Sequence, residues 1–209
     1  MGTVFRFFLD RQGTVIRKLN VMSTEALEYI PPVYVRDEVI IWNHDYIPME
    51  YYQKIRPFKR LKKVTVYNDS GDLALFKLPM IATAREWHVH FDLPIKVFLD
   101  SMVPVCTWES HGIPYDTISL IYENWKVTNR PEHTTFQLKT ANKILLLEMA
   151  AHIPDAIVYT HGADICLNSL VMLELNEQHN IEVFIGKKAG LIMIVTKKIQ
   201  EKDRCCTIL

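Results

Sequence analysis

Long apolar runs are missing from this sequence. The longest, Ile144 to Leu147 and Leu191 to Val195, are strand-sized and fall well short of the ~18 apolar residues that a spanning helix requires. No membrane-crossing helix is expected. The opening MGTVFRFFLDRQG does not read as a secretory signal, because Arg6 and Asp10 interrupt its apolar stretch. Cysteine is scarce: Cys106 and Cys166 stand alone among apolar residues, and Cys205 and Cys206 are adjacent. That spacing is no disulfide framework, so a reducing, cytoplasmic compartment is expected.

Net charge is absent too. The 24 Lys and Arg balance 24 Asp and Glu, which removes any whole-chain electrostatic case for nucleic acid. The basic run Lys59-Arg60-Leu61-Lys62-Lys63, close to Tyr51, Tyr52 and Phe58, reads as a solvated loop. Catalytic signatures are equally lacking: no GxSxG elbow, HExxH, CxxC or GxxxxGK[ST] occurs. Ser110 beside His111 is a neighbour in sequence, whereas triads are assembled in space. The expectation is a protein without catalytic activity and without a cofactor.

What is present suits a folded domain. The 209 residues are 49% hydrophobic and 23% charged, enough apolar material for a sizeable core. Val4 to Leu9 and Thr14 to Leu19 read as a hairpin around Asp10-Arg11-Gln12-Gly13, and Ser23 or Thr24 caps a short segment stopped by Pro31-Pro32. Residues 1–32 are thus an N-terminal hairpin and cap, 33–199 one αβ domain, and 200–209 a flexible tail.

Within that domain, strand-like runs start at Val39, Val64, Trp87, Ile118, Ile144 and Ile181, with a further short run at Ala156 to Tyr159. Most starts lie about 25–30 residues apart, the length of one strand plus one helix. Helical spacing follows Pro48 (Met49, Tyr52, Ile55, Phe58) and Pro94 (Ile95, Phe98, Leu99, Met102). It recurs at Leu167, Leu170, Val171 and Glu174, with Asp164 as a cap. Asp69-Ser70-Gly71-Asp72 before LALFKL instead reads as a hairpin turn after VTVY. The pattern predicts an α/β fold of irregular strand–helix repeats, leucine-rich-repeat-like, with a compact α+β sandwich as the alternative.

Two groups of residues invite chemistry. Cys206-Thr207-Ile208-Leu209 has a cysteine fourth from the end, an aliphatic residue two places on and a terminal leucine. These are the terms of a prenylation box, and the leucine favours geranylgeranyl. One prenyl chain anchors marginally, so a second signal is needed. Cys205 is placed for palmitoylation, and Lys187, Lys188, Lys197, Lys198, Lys202 and Arg204 outnumber Glu201 and Asp203 six to two. A prenyltransferase and a cytosolic membrane face are the partners this implies. The other group is His88 and His90, two apart on a strand and so on one face, with Cys106 and His111 further on. A metal-dependent enzyme would use His88, His90 and His111, but no carboxylate completes a familiar ligand set. A solvated face opposite buried Trp87, Val89 and Phe91 is the reading these residues favour.

The stretch PDAIVYTHGADICLNSLVMLELNEQHNIEVFIG, Pro154 to Gly186, together with KILLLEM and RLKKVTVYND, resembles units of the F-box-associated domains in the large nematode F-box family. The resemblance spans about the last two-thirds of the chain. It implies an αβ, leucine-rich-repeat-like surface that selects proteins for ubiquitin ligases. The N-terminal residues do not read as an F-box, so direct docking to a ligase adaptor is not part of what it implies. The expected function is a protein-interaction or substrate-recognition module, tethered by its lipid; a lipid- or small-ligand-binding domain is the alternative.

Overall fold

Val39, Ile41, Val64, Val66, Trp87 and Val89 are buried core residues set two apart along three segments. A period of two puts all of them on one side of a sheet. The computed structural model bears this out and is of mixed α/β class. It describes residues 16–22, 35–43, 61–68, 73–92, 94–111, 116–140, 146–160, 169–186 and 190–198. The chain divides into two compact units, Met1–His111 and Gly112–Leu209.

The first unit holds β1 (Ile16–Val21), β2 (Val35–Asn43), β3 (Lys63–Asn68), a 3₁₀ turn (Leu73–Lys77), α1 (Pro79–Ala82), β4 (Glu86–His90), α2 (Ile95–Leu99) and β5 (Val105–Glu109). Its strands lie side by side in chain order, every neighbouring pair parallel. The register sets Val39, Val64, Trp87 and Cys106 in one cross-strand row and Ile41, Val66, Val89 and Trp108 in the next. All eight are buried. Leu75, Phe76, Leu78, Ile81 and Phe98 from the helical segments are buried as well. Phe76 meets Trp87 at 5.2 Å between ring centroids, and the Trp87 indole donates to the Ile81 carbonyl at 2.7 Å.

In the second unit come α3 (Thr117–Thr128), β6 (Thr135–Lys139), α4 (Leu146–Ala150), β7 (Ile157–Thr160), β8 (Ser169–Glu174), β9 (His179–Gly186) and β10 (Gly190–Lys197). The sheet order is β6-β10-β9-β8-β7, antiparallel throughout. Phe136, Met193, Val183 and Val171 form one buried row across four strands. On α3, Ile118, Ile121, Tyr122 and Trp125 are buried at i, i+3, i+4 and i+7. The helix closes on Asn129 in the left-handed region (φ 47°), where asparagine is among the residues best suited.

Several sequence expectations are corrected. LALFKL is no hairpin arm: Leu75, Phe76 and Leu78 are buried within four residues, a clustering that a helical turn allows and strand alternation does not, and β3 pairs in parallel with β4. ISLIY from Ile118 lies in α3, its β-branched start masking the 3.6-residue period. Leu146 and Leu147 from the ILLL run are helical in α4. Conversely, Leu170, Val171 and Glu174 lie in strand β8, where burial alternates through Ser169, Val171 and Leu173. Thr14 to Leu19 overlaps β1, which pairs in parallel with β2. Val4 to Leu9, the Ser23 cap and the Met49 to Phe58 helix lie outside the described residues.

Candidate functional site

Burying one side of the parallel sheet leaves the other to present every second residue of each strand. That open face carries Lys18 and Asn20 from β1, Glu38, Ile40 and Trp42 from β2, and Lys63, Thr65 and Tyr67 from β3. Glu86, His88 and His90 from β4 and Val105, Thr107 and Glu109 from β5 complete it. Lys18 and Asn20 are exposed, Thr65 and Thr107 are buried, and the others are partly exposed. The parallel register sets Lys18, Glu38, Lys63 and Glu86 in one row of alternating charge and Trp42, Tyr67, His90 and Glu109 in another.

One row is aromatic and nearly coplanar in orientation. Trp42 and Tyr67 have ring centroids 3.9 Å apart and planes 6° from parallel, and Tyr67 and His90 follow at 4.3 Å and 11°. Both ends are hydrogen-bonded. Trp42 Nε1 donates to Asn20 Oδ1 at 2.8 Å, and His90 Nδ1 lies 2.6 Å from Glu109 Oε2. A second cluster centres on Glu38, whose Oε1 accepts from Thr65 Oγ1 at 2.8 Å. Lys18 Nζ and Lys63 Nζ approach its carboxylate at 3.1 and 3.5 Å. Burial alone raises the Glu38 carboxyl pKa, but the Thr65 and Lys18 hydrogen bonds and the Lys63 charge outweigh it and hold the group below its ordinary value.

The histidines take separate partners. His88 Nε2 lies 2.7 Å from Glu86 Oε1, His90 pairs with Glu109, and His111, exposed at the end of the unit, has Nδ1 3.7 Å from Asp92 Oδ2. His88 and His90 share the open face as the strand period requires, opposite buried Trp87 and Val89. Among the described residues no three His, Cys, Asp or Glu side chains are grouped to hold a metal ion. Ser110 Oγ and the His111 backbone N–H both donate to Asp92 Oδ1, at 2.7 and 3.1 Å, and they lower its pKa. The carboxylate thus sits between serine and histidine, whereas a nucleophilic triad needs the imidazole there. Cys106 is fully buried, and desolvation pushes its thiol far above the usual range.

Cys205, Cys206, Thr207, Ile208 and Leu209 lie outside the described residues, as do Lys187, Lys188, Lys202, Arg204 and Cys166. Of the basic residues expected near a membrane, Lys197 is exposed on β10, and Lys198 forms an ion pair with Glu174 that lowers the carboxyl pKa. Among the described residues no helix is long and apolar enough to cross a membrane.

Sequence reasoning passed over Trp42, Tyr67, Glu38 and Glu109. The available signal was the alternation itself: an aromatic residue ends the open-face series in both VIIW and VTVY. It also missed Arg130, which is buried, donates to Thr128 Oγ1 at 3.2 Å and has its pKa lowered by desolvation. Compared with protein-family models and with curated proteins, the chain matches none.

Proposed function

We propose that this chain is a non-catalytic protein-recognition module that contacts its partner through the open face of the β1–β5 sheet. The observation that carries the reading is the Asn20–Trp42–Tyr67–His90–Glu109 row. Five strands each contribute one side chain, held by stacking and hydrogen bonds, so little rotamer entropy remains to be lost on binding. Tryptophan, tyrosine and carboxylate side chains on a rigid sheet suit a protein surface better than a small polar substrate, which needs a concave site. The finer reading is an irregular, leucine-rich-repeat-like array; what supports it is the parallel strands β1–β5 taken in chain order, with short helical segments between β3 and β4 and between β4 and β5. On the resemblance to F-box-associated domains, components of ubiquitin ligases are the partners proposed. Where Cys206–Leu209 closes the mature chain, a geranylgeranyl group on Cys206 supplies the tether to a cytosolic membrane face.

Proximity labelling in cells tests the reading. The wild-type chain is compared with a Trp42→Ala/Glu109→Ala variant whose folding is verified by circular dichroism. A set of protein neighbours lost from the variant supports the recognition face. An identical neighbour set for both chains removes the face from the function.

A further inference from the structure

The helical side of the first unit contains a hollow. Between the 3₁₀ turn, α1 and α2 lies a half-open cavity of about 730 Å³, within the range of small-molecule sites. Ala74, Phe76, Ala82, Trp87 and Val97 line it, and Lys77, Asp100 and Ser101 also reach it. Leu73 and Met102, at 37% and 65% exposure, belong to the same wall.

The polar atoms of this lining decide what it can hold. Trp87 Nε1 is committed to the Ile81 carbonyl at 2.7 Å, and Ser101 Oγ donates to the Phe98 carbonyl at 2.7 Å. Neither donor points to a ligand, so a polar group seated against Trp87 or Ser101 would lose its bonds to water without replacement, and the remaining polar side chains, Lys77 and Asp100, stand exposed to solvent. A hydrocarbon loses nothing and gains burial. The two charged side chains, Lys77 and Asp100, are of opposite sign and exposed, so the site has no net preference for an anionic or cationic head. Ala74 and Ala82 supply the width, because any larger side chain at either place would occupy the space.

We infer that this cavity is a binding site for one long, uncharged hydrocarbon chain with a small neutral head group, of the isoprenoid or fatty-alcohol class. It faces away from the proposed recognition row: Trp87 lines the cavity and its neighbour His88 belongs to the opposite, open face.

The test is equilibrium dialysis of the full chain against radiolabelled geranylgeraniol and hexadecanol, which separate the branched from the linear source of the same chemistry. Saturable binding of one equivalent of either is expected, and Ala82→Trp and Val97→Trp each weaken it at least ~10-fold, or about 1.4 kcal/mol, with folding unchanged. Hexadecanoate and hexadecylamine are expected to bind at least ~10-fold more weakly than the alcohol. A photoreactive diazirine alcohol should label peptides containing Leu73–Lys77 or Val97–Met102, a readout that needs no variant. Four results each overturn the inference. They are no saturable binding, undiminished binding in both filled variants, a charged analogue binding more tightly than the alcohol, and labelling confined to other segments. Filled variants that keep the lipid but lose a protein partner would reassign the cavity to protein contact.

Discussion

Trp42 and Tyr67 stand on adjacent parallel strands with ring centroids 3.9 Å apart and planes 6° from parallel. Side chains directly beside each other in a parallel register meet face to face only when their rotamers agree, so each ring fixes the other. A double-mutant cycle of Trp42→Ala and Tyr67→Ala should give a coupling energy of about 0.5–1.5 kcal/mol by urea denaturation. Strict additivity would show that the rings stabilise independently.

Glu38 predicts an acid dependence. Its carboxyl pKa is lowered in the folded state from an ordinary value of 4.5. A depressed folded-state pKa contributes stability above the unfolded value that is lost as pH falls through the folded one. Urea midpoints measured from about pH 5 downward should therefore fall less steeply in Glu38→Gln than in the wild type. Parallel acid limbs would mean that other carboxylates govern the loss.

A buried hydroxyl on α3 gives the opposite kind of test. Thr117 is fully buried and its Oγ1 has no hydrogen-bond partner among the described residues. Replacing an unsatisfied buried donor by an apolar group of the same shape removes a desolvation cost, so Thr117→Val should stabilise the chain by about 1 kcal/mol. For a chain of this size that corresponds to a rise in Tm of about 2–4 °C. A lower Tm would show that the hydroxyl is satisfied in solution.

The proposed lipid tether makes Cys206 the residue to test, where Cys206–Leu209 closes the mature chain. Fractionation of cells expressing wild type and Cys206→Ser should show a geranylgeranyl-labelled, membrane-bound wild type and an unlabelled cytosolic variant, with Cys205→Ser weakening retention while labelling persists. Equal distribution of wild type and Cys206→Ser, with no label entering the wild type, would remove the tether.

Short runs rich in β-branched and aromatic residues were legible in the sequence as strands: Val39 to Trp42, Val64 to Tyr67, Trp87 to His90 and Ile181 to Phe184 all fall in strands. Short runs rich in Ile and Leu were not. Ile118 to Tyr122 and Leu146 to Leu147 have the composition of buried strands, and only the later burial of Trp125 and Met149 reveals the helical period. The Leu170 to Glu174 segment fails in the other direction, since Leu170, Val171 and Glu174 also match a helical spacing by chance. The shared face of His88 and His90 follows from strand parity. Glu86, two residues before His88 on β4, shares that face by the same parity, but Glu109 does not follow from it, because it meets His90 only through the β4–β5 register. The cavity was likewise invisible, depending on how two short helices and a 3₁₀ turn pack rather than on any local pattern.

The open face is tested most directly by where a partner touches the chain. A photo-crosslinking amino acid is placed at Lys18 or Glu86, on the open face of the first unit, or at Val127, an 84%-exposed position on α3. The account predicts that the same partner protein is captured from Lys18 and from Glu86, and that Val127 captures none of it. Capture of that partner from Val127 alone would contradict the account.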